Sequence, residues 1–567
     1  MSAAPRAVGP RQRSSFRSQT PRIGLCRGLA ARRILASIRL LSLTISEMND
    51  GLRAPVWALQ IRRVSLAAAI LCVLAFAWTS RRWLLVGDAS LMHYVTFLMA
   101  RGMVPYREIV DVNLPGSYAV EWAAIHLFGA GSAGWRVFDL ALGGLAAGAM
   151  AWTAGPEDGM AGLLAGLVFV LVHGRDGMNE LGQRDLVMAV LLVWAAGCLR
   201  QAVLRFRREG FGPRRDGMRL VLLAGLAAGA ALTIKPTAAI FWAAMLAWLL
   251  WEVEESVRLR VGLVNLAGFL VAPLIAVGYL VHWGAVGAFW RITTGLIPFH
   301  NQLVRRPVSY LVLHPLPSSL MPVLVLWVVV LGLRRKEGLR LLRPEESLAA
   351  VGFLCGLASL LVQRKALPYH RYPADTFFLL LAALSFARSL RERGRERWAG
   401  AAGILVLGFL VAPQCLMKTL PLHAEPDDFS GLLERDLTAL GGAGLDRRIE
   451  CVDFTSGCVT TLYRMRVEES TGFLYDCYLF EPATNAVVRG YREEFREEVM
   501  ARPPEVIVLS NQDCERRAGF DKVDRWPELA AWLGREYRVE RQVTPPGLVR
   551  WASTTVAPAS YRIYVRK

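Results

Sequence analysis

Long apolar runs separated by short arginine-rich breaks dominate the chain between residues 64 and 417. A helix needs about 20 apolar residues to span the hydrocarbon core of a bilayer, with about 17 tolerated. Runs of that order fall at 64–82, 134–153, 159–173, 185–204, 219–234, 237–252, 261–283, 318–334, 347–363, 373–389 and 398–417. The pattern predicts a polytopic α-helical membrane protein with about eleven transmembrane helices.

The pattern changes after residue 417. Val488, Tyr491, Phe495 and Val499 recur at helical spacing, EVIVLSN reads as a buried strand, and WPELAAWLGREY reads as another helix. Residues 418–567 are therefore expected to form a small α/β domain outside the bilayer.

Composition agrees with this division. Of 567 residues 54% are hydrophobic, and the mean hydropathy of +0.34 is too high for an ordinary soluble enzyme. The net charge of +19 could point to nucleic acid, but much of it lies in the first 63 residues and in short loops such as RFRREGFGPRR and RSLRERGRERW. Basic loops between spans are topology signals, so no nucleic-acid partner is expected. With the N-terminus inside, as Arg53, Arg62 and Arg63 indicate, the basic connections 205–219, 334–346 and 388–397 all face the cytoplasm. That register holds only if the apolar stretch 116–129 lies along the interface instead of crossing. An odd number of spans then leaves 418–567 on the outer side. Residues 1–63 read as a disordered basic tail; the first 47 carry many Arg, no Lys and little acid, the composition of such a tail or of a transit peptide. Met48, just before the first span, is the expected start.

The cysteines give an independent reading of sidedness. Cys26 lies in the basic tail, and Cys72, Cys198, Cys355 and Cys415 lie in or beside apolar spans, where a thiol behaves as a small hydrophobe. Cys451, Cys458, Cys477 and Cys514 all fall in the outer domain, where an oxidising compartment allows disulfides. Three pairings are possible. A zinc site is the alternative, although Cys451 and Cys458 are spaced more widely than the usual Cys-x2–4-Cys.

Candidate chemistry concentrates just after the first span, in GDASLMHYVTFLMARGMVPYREIVDVNLPGSY. Asp88 and Asp111 stand where the chain leaves a medium that penalises unpaired charge. The intervening SLMHYVTFLMA reads as a helix of about three turns, roughly 16–18 Å long, and the return segment can extend to roughly 33 Å, enough to bring the two carboxylates together. Each has a plainer explanation: Asp88 as a helix N-cap, Asp111 as a turn residue before Leu114-Pro115-Gly116.

The segment, including VPYREIVD before the Pro-Gly-Ser-Tyr turn, resembles the first outer loop of the GT-C glycosyltransferases. The resemblance is to the branch with the bacterial aminoarabinose transferases and protein O-mannosyltransferases, and it covers roughly residues 64–417. It implies juxtamembrane helices within 88–129, a polyprenyl-phosphate sugar donor, membrane lipids as partners and residence in a bacterial inner membrane. Asp88 would be the base for the acceptor hydroxyl; Asp111 would orient the acceptor or hold a divalent cation where one is used, and Tyr106 and Asn113 would line the substrate. The family segment often carries lysine where this chain has Asn113, so the cation facing the donor phosphate must come from elsewhere.

Two stretches can supply it. LTIKPTAAIFW places Lys235 at the outer end of a tight hairpin in a Lys-Pro-Thr sequence similar to one in the family. VQRKALPYHRYP carries Arg364, Lys365, His370 and Arg371 and resembles the late loop that closes over the lipid phosphate. Lys235 could instead snorkel to the interface, and the basic loop could touch anionic headgroups. In HGRDGMNELGQRD, Arg175, Asp176, Glu180, Arg184 and Asp185 read first as solvated or mutually paired charges, with acceptor binding as the alternative. The long segment 284–317, carrying His300, Arg305 and Arg306, has the length of a lid. The sequence has no Gly-rich phosphate loop after a strand, no His-Glu-x-x-His, no Gly-x-Ser-x-Gly and no repeat, which argues against an ATP-driven pump or a protease.

The expected function is transfer of a sugar, with inversion, from a polyprenyl-phosphate carrier to a lipid, glycan or protein acceptor on the periplasmic side. The rival is a non-catalytic lipid-glycan transporter or assembly scaffold, which needs no acidic pair at one membrane face and more often shows interrupted helices from internal repeats. A polymerase or ligase using lipid-diphosphate donors is the third reading.

Overall fold

The computed structural model describes residues 55–208, 215–303, 305–419, 428–453, 455–513, 519–546, 549–551, 554–556 and 558–567. The expectations for the basic tail before residue 55, including Cys26 and the Met48 start, and for Cys514 lie outside the described residues.

Among the described residues, eight helices are long and apolar enough to cross a membrane. They fall within Val56–Arg82, Ser132–Asp176, Arg184–Arg208, Arg215–Ile234, Glu255–His282, Val308–Lys336, Pro344–Gln363 and Arg395–Thr419. All eleven predicted apolar runs are largely helical, and three places account for the difference in number. The runs 134–153 and 159–173 join end to end within Ser132–Asp176, broken where Gly155 takes φ 75° and Pro156 follows. The Ala238–Glu252 helix has only 15 residues. The Tyr372–Ser389 helix is buried at every position, and Asp375 and Arg388 within it lower its apolarity. The first helix starts at Val56 and not near residue 64. Arg62, expected in the tail, is 3% exposed, donates to the Ala387 carbonyl (2.5 Å) and faces Asp158 at 3.7 Å.

Two short helices follow the first long one. Gly87–Ala100 is buried over most of its length. Pro115–Phe128 buries Ser117, Tyr118, Glu121 and Ala124 while leaving Trp122 and Leu127 exposed. Its 14 residues cover about 21 Å, short of the roughly 30 Å hydrocarbon core.

The C-terminal part contains a four-stranded sheet in the order β1-β2-β6-β3, formed by β1 (Ile449–Val452), β2 (Val506–Ser510), β3 (Tyr537–Val543) and β6 (Tyr561–Arg566), beside a two-stranded ribbon of β4 (Val549–Trp551) and β5 (Thr554–Val556). β1 and β2 are parallel, with Cys451 opposite Val508; β6 runs antiparallel to both of its neighbours, with Ile563 opposite Val508. A parallel pair needs a crossover, and the Ala486–Ala501 helix lies within it, burying Val488, Tyr491, Phe495 and Val499. Cys451 and Cys458 are disulfide-bonded, with Cα atoms 6.0 Å apart, and Cys477 is disulfide-bonded as well. Cys72, Cys198, Cys355 and Cys415 are free thiols.

This part packs directly on the first loop. Val110 N–H donates to the Gly472 carbonyl (2.8 Å), Tyr94 hydroxyl donates to the Val467 carbonyl (3.2 Å) and accepts from Glu469 N–H (2.9 Å), and Arg101 pairs with Asp446 (2.6 Å) and Glu468 (3.0 Å). A Cβ on Gly472 would stand 1.8 Å from the Glu108 carbonyl oxygen, so only glycine allows the two backbones to approach this closely.

Candidate active site

Asp88 occupies the first turn of the Gly87–Ala100 helix, entered through Gly87 at φ 58°. The N-cap position is Val86 and carries no side-chain cap bond. The Asp88 carboxylate instead reaches Arg184, which opens the Arg184–Arg208 helix; Oδ2 accepts from Nη2 at 2.7 Å, and Asp88 keeps 33% of its side-chain surface exposed.

Asp111 differs in every respect. It is fully buried. Its Oδ1 accepts from Val112 N–H (2.7 Å), Asn113 Nδ2 (2.8 Å) and the Tyr475 hydroxyl (3.2 Å), while Oδ2 accepts from the Tyr118 hydroxyl (2.9 Å). No cation pairs with it among the described residues. A carboxylate with this many donors has little capacity left for a substrate.

Asn113 is therefore spent on Asp111. Tyr106, at φ 70°, donates its hydroxyl to the Asn113 carbonyl (2.6 Å) and fixes the loop rather than facing the Asp88 carboxylate. Both Asp88 and Asp111 act electrostatically on Arg184 and on Tyr475, so the two carboxylates share one neighbourhood.

The cations arrive from two further breaks. Lys235, in the turn between the Arg215–Ile234 and Ala238–Glu252 helices, pairs with the buried Asp185 (2.8 Å), donates to Gln363 Oε1 (3.2 Å) and lies 5.6 Å from the Tyr369 ring centre. Lys365 lies within electrostatic range of Lys235, Asp88 and Arg184; burial first, then Lys235, pushes its ammonium down to about 8.

His370 is buried with Nδ1 against the Lys365 carbonyl (3.2 Å), and burial holds it well below the usual histidine range. It stands as a neutral ring that shapes the turn. Arg364 ends the Pro344–Gln363 helix in the left-handed region (φ 53°), its carbonyl accepting from Arg306 N–H (2.8 Å). Arg371 acts electrostatically on Glu180 and Asp375, and Asp88 acts on Glu180 as well. Within the basic loop, Lys365 joins Asp88, Arg184 and Lys235, while Arg371 acts on Glu180 and Asp375.

Two readings of the sequence become more definite here. Of the two outcomes expected for the charges of loop 173–185, solvation does not hold, since Asp176, Glu180 and Asp185 are each at most 5% exposed, while Arg175 and Asp176 pair at 3.2 Å. Burial, with Asp176 and Asp88 beside it, raises the Glu180 carboxyl well above its ordinary value. Segment 284–317 folds partly into short helices, and His300 Nδ1 meets the Tyr478 hydroxyl at 2.8 Å. Burial, then Lys365, Arg184 and Lys235, pushes His300 down to about 3, so it is neutral among cations.

Tyr118 and Tyr475 are residues that sequence reasoning left out of the site, and Arg184 entered it only through the alternative of acceptor binding. Arg184 carried no distinguishing signal, since an arginine at the start of an apolar run also reads as a topology signal. Tyr475 lies in FLYDCYLF, an aromatic concentration around Cys477 in an otherwise polar tail. Among the described residues no group of three or more His, Cys, Asp or Glu side chains is arranged to hold a metal ion.

The arrangement has the parts of a group-transfer site: one accessible carboxylate, three cations around it and a rigid second carboxylate behind the loop. A narrow cleft lined by Asp88, Glu121, Trp135 and Arg184 opens beside the Asp88–Arg184 pair.

No family model and no curated protein matches the chain. Among solved structures it is similar to ArnT from Cupriavidus metallidurans in the apo state, with a TM-score of 0.53 and 13% identity over 89% of this chain and 97% of that one. The same protein bound to undecaprenyl phosphate gives a TM-score of 0.52 and 13% identity over 88% and 97%. The apo oligosaccharyltransferase of Archaeoglobus fulgidus gives 0.47 and 12% identity over 80% and 70%. The two ArnT comparisons span nearly the whole of both proteins, and on that footing the chain shares the fold of that protein.

Proposed function

We propose that the chain is an inverting glycosyltransferase of a bacterial inner membrane, moving a sugar from a polyprenyl-phosphate carrier to an acceptor on the periplasmic side. The observation that carries the reading is the Asp88–Arg184 pair, open to a cleft and flanked by Lys235 and Lys365. Polyprenyl phosphate is a membrane-bound anion, and this is where a cationic cluster meets the ends of apolar helices. The solved ArnT complex with undecaprenyl phosphate supports the donor class.

In this reading the donor phosphate competes with Asp88 for Arg184. Once the phosphate takes the guanidinium, the carboxylate is free to accept a proton from the acceptor hydroxyl. The acceptor oxygen forms its bond to the anomeric carbon from the face opposite the phosphate. The carbon–oxygen bond to the phosphate breaks with its electron pair leaving on the phosphate, where Arg184, Lys235 and Lys365 stabilise it. A single displacement inverts the anomeric centre. Asp111 acts as a positioning residue that holds Asn113, Tyr118 and Tyr475 in place. The apolar helices bind the polyprenyl tail, and that remote binding energy places the reacting carbon.

The test is transfer of label from radiolabelled polyprenyl-phosphate sugars to a native membrane extract by the purified protein and by Asp88→Asn. The expected outcome is transfer by the parent protein and a loss of at least about 100-fold in the variant, the lower range for a general base, at equal abundance. Equal transfer by the two would remove Asp88 from the mechanism, and no transfer across a broad donor panel with lipid binding intact would favour a transporter or scaffold.

A further inference from the structure

Residues 467–473 form a strap between the C-terminal sheet and the first loop. On one side Glu469 bridges to Ile449, and Ser470 N–H donates to the Ile449 carbonyl (2.8 Å), so the strap lies along the edge of β1. On the other side Val467, Glu469 and Gly472 hold Tyr94 and Val110 by the bonds described above. Glu450 grips the strap from β1: its carboxylate accepts from Ser470 Oγ (2.7 Å), Thr471 N–H (3.1 Å) and Thr471 Oγ1 (2.7 Å). The Glu469 carboxyl is poorly served by comparison. Its Oε2 accepts one long bond from Cys451 N–H (3.3 Å), and Oε1 has no hydrogen-bond partner. Both glutamates are buried. Among the described residues no cation pairs with either. Arg101 (3.0 Å) and Arg447 (2.9 Å) are spent on Glu468, and Arg502 acts on Glu498. The charged groups that act on the pair are acids: Glu498, on the Ala486–Ala501 helix, acts on Glu450, while Glu450 and Asp453 act on Glu469. The Tyr94, Tyr491 and Tyr537 hydroxyls beside them are neutral. Phe495, Leu529, Trp532 and Leu533 add an apolar wall next to Glu450.

Two buried carboxyls in electrostatic range of each other, with no cation between them, do not both ionise. The bonds decide which one keeps the proton. Glu450 has the donors an anion needs and Glu469 lacks them. Burial first, then Glu450 and Asp453, raises the Glu469 carboxyl well above its ordinary value. We propose that the strap is a pH-sensitive latch: the proton on Glu469 keeps it seated between β1 and the first loop, and loss of that proton releases it. Release breaks the bond from Val110 N–H to the Gly472 carbonyl and frees the segment that leads to Tyr475, so the loop carrying Asp111 loses its outer support. In a released strap Glu469 meets water, where a glutamate titrates near ~4.3; seated, it stays protonated to a much higher pH. The seated state therefore holds one proton more across that window. Seating is strongest at the acid end and weakens as the pH rises, about tenfold per pH unit, until Glu469 ionises in place.

The experiment is limited proteolysis of the full-length protein between about pH 5.5 and 7.5, with each rate divided by that of an unstructured peptide at the same pH to remove the protease's own titration. Cleavage of the C-terminal part follows the population of the open form. In the parent the corrected rate should rise about tenfold per pH unit. In Glu469→Gln, which cannot ionise, it should stay flat and lie below the parental rate at pH 7.5. A flat parental rate, or a Glu469→Gln rate that climbs as steeply as the parent's, would overturn the latch. Should Glu469→Gln melt below the parent at every pH, Glu450→Gln decides instead. With the like charge gone, Glu469 ionises in the seated strap at lower pH, so the rise should end at a lower pH than in the parent; an unchanged profile would overturn the latch equally. The readout needs no sugar transfer, so failure of the function proposed above would leave the latch standing, and failure of the latch would leave that function standing.

Discussion

Lys365 keeps its charge against both burial and a neighbouring lysine. Its ammonium titrates at about 8, so it is cationic below that pH and neutral above it. If the charge holds the donor phosphate, donor affinity is complete below pH 8 and falls as the pH rises through it. The KM for the donor should therefore climb between about pH 7.5 and 9, while in Lys365→Arg, whose guanidinium stays protonated, the climb should disappear. A parent KM that is flat across this range would separate Lys365 from phosphate binding. Single residues of this kind were partly legible. Asp88 and Lys235 stand out in sequence because a carboxylate or an ammonium beside a membrane span is rare and costly. Arg184 does not, since an arginine at a helix start reads equally well as a topology signal, and its partner is 96 positions away.

Elements were easier to read than their contacts. The apolar runs, the helix bearing Tyr491 and Phe495 and the strand Val506–Ser510 follow from hydrophobic period alone. The broken run at Gly155-Pro156 was also visible as two pieces, because glycine and proline interrupt the pattern there. What periodicity cannot supply is which elements meet. The C-terminal part looked like a separate outer module, yet it carries Tyr475 to Asp111 across 364 positions. The aromatic cluster gave no hint of that destination. Gly472→Ala tests the docking, because its Cβ would stand 1.8 Å from Glu108 O and the two backbones would have to part. We expect that variant to lose most transfer activity and to expose its C-terminal part to protease. Tyr475→Phe, which removes one hydrogen bond to a buried carboxylate worth about 1.5–3 kcal/mol, should lower kcat and leave the protease pattern unchanged. Full activity in Gly472→Ala would make the docking irrelevant to the site.

At the scale of the molecule, two charged assemblies stand at opposite ends of one membrane-length helix. Pro344–Gln363 has Glu346 near its start and Gln363 at its end, about 26 Å apart at 1.5 Å per residue. Gln363 touches Lys235 of the candidate site. Glu346 belongs to a buried network with Arg334 (2.9 Å) and Arg388 (2.9 Å), and Arg334 also binds Glu396 (2.8 Å). This network ties together the basic connections 334–346 and 388–397. Positive loops stay on the cytoplasmic side, so the network should face the cytoplasm and the site the periplasm, the side where the Cys451–Cys458 disulfide is chemically at home. Arg393 and Arg306 are exposed, one at each end. In intact spheroplasts an impermeant maleimide should label Arg306→Cys and leave Arg393→Cys untouched until the membrane is opened. The reverse pattern would put Asp88 in the cytoplasm, and then neither a periplasmic acceptor nor an oxidising environment for the cysteines could be maintained.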